Sequence, residues 1–233
     1  MEDIKVSIIE LKETILEDND KDADLLREEL KKDRTYYLNV MSSPGSGKTS
    51  TLVQTIRRLK DTFRIGVMEA DIDSDVDAKT IAREGVKSIQ VHTGGMCHLD
   101  ADMSRQGLRE IGTEDLDLVI LENVGNLVCP AEFDTGAVKN AVILSVPEGD
   151  DKPLKYPLMF EKADVVLVNK IDAMEVFENA ADRNYLSIAP VHLADFIGIF
   201  QTSDGILVQI IAAICRTVVF QNFQIVEFES RRV

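Results

Sequence analysis

Residues 42–49 read Ser-Ser-Pro-Gly-Ser-Gly-Lys-Thr and follow the apolar run Tyr37-Leu38-Asn39-Val40-Met41. This feature constrains the fold most. A glycine-rich turn between a strand and a helix aims successive backbone N–H groups at one point and makes a cradle for polyphosphate. Gly45 and Gly47 allow the turn, and Ser43, Pro44, Ser46 and Ser50 complete its wall. Lys48 brings a positive charge to the β/γ-phosphates, and Thr49 offers a hydroxyl to Mg²⁺. The helix expected over residues 49–59 points its positive end at the same anion. One position departs from the pattern G-x-x-x-x-G-K-S/T: its first glycine is Ser42.

Strand-like runs recur at 36–41, 65–69, 88–91, 116–122, 141–146 and 165–169, and helical patterns separate most of them. That alternation predicts an α/β protein with a parallel sheet and helices on both faces. Ligands of such folds bind outside the carboxyl ends of the strands, where every motif of this chain falls. Residues 4–32 carry apolar positions at helical spacing, and Asn19-Asp20 is expected to break them into two helices. Between Asn184 and Val233 only seven side chains are charged; a final strand and a packing helix are expected there. A net charge of −15 excludes a non-specific nucleic-acid binder. No apolar stretch reaches the roughly 20 residues a membrane helix needs. Three cysteines without an export-like start point to a reducing, cytoplasmic compartment, where cysteine serves metals or chemistry more often than disulfides.

The strand over 116–121 ends in Glu122-Asn123-Val124-Gly125. An acid there polarises water or holds Mg²⁺, and Gly125 leaves room for a γ-phosphate, as in segments that sense a triphosphate. Asp71 ends another strand and is a second candidate for the Mg²⁺ shell; Asp73, Asp75 and Asp77 follow it, as a solvated face or as further site acids. Asn169-Lys170-Ile171-Asp172 gives N-K-x-D at a strand end. Its carboxylate suits the N1–H and 2-amino group of guanine, its lysine stem lies along the base, and its asparagine braces the loop. GTP is therefore favoured over ATP, an ATPase or kinase of similar fold being the other reading.

Cys97-His98 offers a thiolate and an imidazole from one loop, and Cys129 follows Gly125 on the sensing segment. Sulfur with imidazole suits Zn²⁺ or Ni²⁺. Three ligands do not close a tetrahedral site, so either water completes it or two copies pool ligands. Cys215 reads as core, and His92 and His192 have no partners in sequence. Because Cys129 lies just beyond the γ-phosphate sensor, hydrolysis is expected to move a metal ligand.

Four stretches together are specific: Ser43–Thr49; Thr93-Gly94 with Cys97-His98-Leu99-Asp100-Ala101; Glu122–Pro130; and Ser145–Lys152. They resemble the HypB family, GTPases that help insert nickel during nickel–iron hydrogenase maturation. The likeness runs from about residue 1 to 183, and residues beyond 183 do not follow the family pattern. The resemblance implies a three-layer P-loop NTPase of the SIMIBI type, with a short helical extension at 1–34 and the GTPase domain at 35–233, of which 184–233 is atypical. It implies slow GTP hydrolysis, with Lys48, Thr49, Asp73 and Glu122 as catalytic candidates and Thr49, Asp71 and Glu122 around Mg²⁺. It implies Cys97, His98 and Cys129 as ligands for Ni²⁺ or Zn²⁺ and GTP-favoured homodimers, with Lys152 and Lys155 near the dimer interface. The implied partners are a HypA-type metallochaperone and the hydrogenase large-subunit precursor. Ala70 and Ser74 stand where the family usually has Gly and Thr, and no cysteine-rich or histidine-rich storage tract is present. Two other functions stay open: a GTP-controlled dimerisation switch with negligible turnover, and an accessory GTPase serving urease.

Overall fold

The computed structural model describes residues 11–71, 76–173 and 224–227. Six strands run parallel: β1 (Tyr36–Ser42), β2 (Ile65–Asp71), β3 (Lys87–His92), β4 (Leu118–Glu122), β5 (Lys139–Ser145) and β6 (Val165–Asn169). They lie in the order β3-β2-β4-β1-β5-β6, and β7 (Gln224–Glu227) pairs antiparallel with β6 at the edge. The expected parallel sheet is present, with strand ends shifted by one to two residues. β7 supplies the expected final strand. The packing helix expected after residue 184 lies outside the described residues, as do Asp73, Asp75, His192 and Cys215.

β1 shows why the sheet takes helices on both faces. Tyr36, Leu38 and Val40 point to one side and Tyr37 and Met41 to the other, and all five are buried. The first face packs on α2 (Lys48–Leu59) through Leu52, Val53, Ile56 and Leu59, and on α3 (Val76–Ala82) through Ile81. The second packs on α1 (Leu11–Asp33) through Leu26 and Leu30, and on α4 (Ala101–Ile111) through Leu108 and Ile111. Further along that face lie α5 (Cys129–Glu132), the short α6 (Lys152–Lys155) and α7 (Pro157–Glu161), with Ala131, Met159 and Phe160 buried against Met41, Val142 and Leu144. Burying side chains of this size contributes about 1.5–3 kcal/mol each. The result is a three-layer α/β fold of the P-loop type, with the parallel sheet between two layers of helices. Among the described residues, no helix is long and apolar enough to cross a membrane.

One expectation is corrected. Asn19-Asp20 does not divide the N-terminal segment, which is a single helix over Leu11–Asp33. Asparagine is a poor helix former because its amide competes for nearby backbone groups. Here that amide is engaged elsewhere: Asn19 donates to the carbonyl of Asp134 at 3.0 Å and accepts from the N–H of Ala101 at 2.9 Å. Tertiary hydrogen bonds override the local propensity.

Candidate functional site

The carboxyl ends of β1, β2, β4 and β6 meet at one edge of the sheet. β1 delivers the phosphate loop. Gly45 (φ 76°) and Gly47 (φ 100°) adopt left-handed backbone that side chains disfavour, which accounts for both glycines. Ser42, by contrast, closes a regular strand, and among the described non-glycine residues only Arg34 and Lys170 have positive φ. The loop therefore does not require glycine at position 42. The Ser42 hydroxyl is instead used: it accepts from Lys48 Nζ at 3.0 Å and from Ser46 Oγ, and donates to the carbonyl of Ser43 at 2.8 Å. The departure from the motif is a contact that parks Lys48.

Lys48 is itself buried. Burial pulls its pKa down, against the charges of Glu122, Glu69, Asp77 and Glu148. Thr49 donates its hydroxyl to Glu122 Oε1 at 2.8 Å. Glu122 ends β4 opposite Glu69 on β2, so two buried carboxyl groups share one rung of the sheet. Burial, then the neighbouring charge of Glu122, pushes the Glu69 pKa far above the usual carboxylate range; burial also raises Glu122. One carboxyl of this pair holds a proton in the free protein. Ser43 Oγ is buried without a partner, and the buried Glu69 and Glu122 carboxyls are within hydrogen-bonding reach of each other. A carboxyl pair beside a threonine hydroxyl is a set of hard oxygens that fits a hydrated divalent cation once the shared proton is displaced. Asp71 is half-buried at the end of β2, where its carbonyl accepts from the Thr93 N–H at 3.5 Å.

The segment after Glu122 packs directly on the loop. A Cβ on Gly125 would lie 3.2 Å from the nitrogen of Pro44 and 3.3 Å from its Cα, so a side chain here would press on the loop backbone. The base of the segment is fixed by a row of amides: Asn123 donates to Asn39 Oδ1 at 3.0 Å, and Asn39 donates to Asn140 Oδ1 at 2.9 Å. From β6, Asn169 donates to the carbonyl of Ser46 at 2.8 Å and Lys170 to that of Gly45 at 2.7 Å. The N-K pair thus braces the phosphate loop, and Asp172 stands exposed beyond it. Ser50, Pro44 and Gly45 are exposed along the same loop.

The second cluster lies on the face covered by α1 and α4. Cys97 and His98 sit in the loop from β3 to α4, with Gly94 and Gly95 in left-handed backbone ahead of them. Asp100 ends that loop by capping α4, accepting from the Met103 N–H at 2.8 Å. Cys129 opens α5. The ligand atoms of Cys97, His98 and Cys129 all lie within 4.8 Å of one another. A hydrogen bond with Cys97, then burial, pushes the Cys129 thiol up, and burial holds His98 in its neutral, ligating form. His98 Nδ1 is buried with no partner, and Asn126 donates to the Cys129 sulfur at 3.5 Å. Two soft sulfurs and an imidazole with an orphaned ring nitrogen fit a transition ion of the nickel or zinc type. The His98 ring stacks on Phe133, centroids 3.8 Å apart and planes 13° from parallel. His92 is exposed at the end of β3.

Lys48, Thr49, Glu122, Gly125 and Asn169 come together around the phosphate loop, and Cys97, His98 and Cys129 into one cluster; sequence reasoning assigned no site role to Ser42, Glu69, Asn39, Asn19 or Phe133. Of these only Glu69 carried a signal: an acid two residues before Asp71, inside an otherwise apolar strand. Asp77, read as solvated or functional, is half-buried and its charge acts on Lys48, Glu69 and Glu122. Lys155 pairs with Asp151, and Lys152 lies 5.5 Å over the Tyr156 ring, on a helix whose Leu154 is 75% exposed.

Residues 37–189 match the family described as CobW/HypB/UreG, nucleotide-binding domain. The hydrogenase maturation factor HypB of Rhizobium leguminosarum bv. viciae is 47% identical over 167 residues, covering 72% of this chain and 56% of that protein. The hydrogenase/urease maturation factor HypB of Helicobacter hepaticus is 47% identical over 173 residues, covering 72% and 71%. The chain thus spans little more than half the length of the Rhizobium relative. The crystal structure of HypB from Helicobacter pylori in complex with nickel superimposes with a TM-score of 0.64 at 46% identity, covering 69% of this chain and 76% of that one. The hydrogenase maturation factor HypB from Archaeoglobus fulgidus gives 0.66 at 38% identity, covering 73% and 82%. With its phosphate loop, its Glu122–Cys129 segment and its Cys-His-Cys cluster, this chain belongs to the HypB family of hydrogenase maturation factors, within the CobW/HypB/UreG nucleotide-binding proteins.

Proposed function

We propose that the chain hydrolyses GTP and couples that hydrolysis to the capture and release of nickel during maturation of nickel–iron hydrogenase. One observation carries the reading: a single short segment joins the two clusters. Glu122 accepts from Thr49, Gly125 packs on Pro44, and Cys129, four residues further, belongs to the sulfur–imidazole cluster. A change in what occupies the phosphate loop therefore has a direct path to a metal ligand.

The roles follow from chemistry. The loop Ser43–Ser50 cradles the phosphates, and Lys48 leaves Ser42 to meet their charge. Thr49, Asp71 and Glu122 would hold Mg²⁺, which when bound neutralises charge on the phosphate oxygens. Glu122 and Asp73 are the candidates for orienting the attacking water. Asn169 and Lys170 brace the loop, leaving Asp172 to read guanine. Cys97, His98 and Cys129 bind the cargo ion, Ni²⁺ or, as a competitor, Zn²⁺. The nickel complex of the Helicobacter pylori relative supports the first. The protein works in the cytoplasm as a GTP-favoured homodimer, with the Lys152–Lys155 helix near the second copy. It exchanges nickel with a HypA-type metallochaperone and delivers it to the hydrogenase large-subunit precursor. Urease is a second acceptor, a reading favoured by the hydrogenase/urease maturation factors of Helicobacter.

Phosphate release and mass in solution, measured with and without Ni²⁺, test this. Slow turnover at saturating GTP, with a mass that doubles on adding a GTP analogue, is expected. Negligible turnover with the same change in mass would replace the enzyme by a dimerisation switch.

A further inference from the structure

We infer that Asn19 of the N-terminal helix is a positioning residue for the sulfur–imidazole cluster, setting the separation of the two loops that supply its ligands. The inference rests on the metal reading above. Asn19 is only 8% exposed, and both polar atoms of its side chain are used. Its Oδ1 accepts from the N–H of Ala101, three residues after His98, at 2.9 Å. Its Nδ2 donates to the carbonyl of Asp134, five residues after Cys129, at 3.0 Å. One planar amide therefore spans the segment carrying Cys97 and His98 and the segment carrying Cys129. Aspartate lacks the donor and an aliphatic residue lacks both groups, so neither can make this bridge.

The rest of α1 holds the bridge in place. Arg27 donates from Nη2 to both oxygens of the Asp134 carboxylate at 2.5 and 2.7 Å and from Nε to the carbonyl of Ala137 at 3.0 Å. Arg105, on α4, donates to the carbonyl of Asp22 at 2.9 Å. Gly136 (φ 77°) lies so close that a Cβ would meet the Leu26 side chain at 2.7 Å. The helix is thus docked on both segments, and Asn19 is the point at which they are tied to one another. On the ligand side the Phe133–His98 stack makes the second tie. Three ligands on two loops bind an ion tightly only when their spacing is fixed beforehand. Loosening one tie loosens the cluster without touching a ligand.

Nickel titration of the full chain without nucleotide, read by the thiolate-to-nickel charge-transfer absorption, tests the inference. Asn19→Ala is expected to weaken Ni²⁺ binding about tenfold, in the range of lost outer-shell partners. It should also shift the absorption band while leaving the affinity for a GTP analogue as it was. Asn19→Asp keeps the acceptor for Ala101 and loses the tie to Asp134, so it is expected to show a similar loss and serves if the alanine variant does not fold. Cys129→Ala is the control. Unchanged Ni²⁺ affinity and spectrum in the Asn19 variants, with binding lost in Cys129→Ala, would overturn the positioning role and leave the cluster standing. Unchanged Ni²⁺ binding in Cys129→Ala would overturn the cluster itself.

Discussion

The phosphate-loop end and the cysteine–histidine end of this molecule are built in opposite ways. The first is a contiguous run, residues 42–49, seated on a buried strand and backed by buried polar groups: Lys48 against Ser42, with Glu69 and Glu122 on one rung beneath. The second draws half-buried ligands from two loops, Cys97 with His98 and Cys129, and is held from behind by α1. A site made from one continuous turn is rigid because its own backbone defines it. A site made from two loops is as rigid as whatever ties those loops together, and so it can be changed from a distance. The segment Asn123–Cys129 joins the rigid end to the adjustable one.

Substitutions at either end break the comparison apart. The largest effect is expected from Lys48→Ala, which should abolish GTP turnover and leave nickel uptake by the free protein intact. Cys129→Ala should do the reverse, weakening Ni²⁺ binding by more than the roughly 10- to 100-fold that loss of an outer-shell partner costs, while GTP still binds. If either variant lost both properties, the two ends would not be separable as described. A narrower effect is expected at Asp172, which stands clear of the loop its neighbours brace. Asp172→Asn should shift preference from guanine to xanthine nucleotides without altering nickel binding, and an unchanged nucleotide profile would remove the guanine reading.

The smallest effect concerns the buried pair. The Glu69 pKa is raised in the folded protein, chiefly by burial and then by Glu122. Folded protein therefore binds a proton that the unfolded chain has released above the ordinary carboxylate range. Stability must fall as pH rises from that range toward the folded value. Glu69→Gln removes this penalty, so the nucleotide-free variant should melt higher than the parent at pH 8, with the gap closing toward pH 4. Melting curves on both proteins across that range check the sign, and a gap that widens in acid would contradict it.

The sequence made the sheet legible because its strands are apolar runs of fixed length between polar helical patterns, a local signal. The motif residues Lys48, Thr49, Glu122, Gly125 and Asn169 were legible for the same reason, each sitting at the end of such a strand. What could not be read was every contact between distant segments. Asn19 looked like a helix breaker because its partners, Ala101 and Asp134, lie more than eighty residues away. Ser42 looked like a defect because only the structure shows Lys48 resting on it. Glu69 looked like one more acid until the register placed it beside Glu122. Phe133 carried no sign of the histidine it stacks on.

The central claim is that the occupant of the phosphate loop changes the grip on the ion through Asn123–Cys129. Calorimetric titration of Ni²⁺ into the GDP-loaded protein and into the protein loaded with a non-hydrolysable GTP analogue tests it most directly. A ratio of affinities of at least about fivefold, the lower bound of ordinary coupling between sites, is the expected result. Equal affinity and equal stoichiometry in the two forms would contradict it.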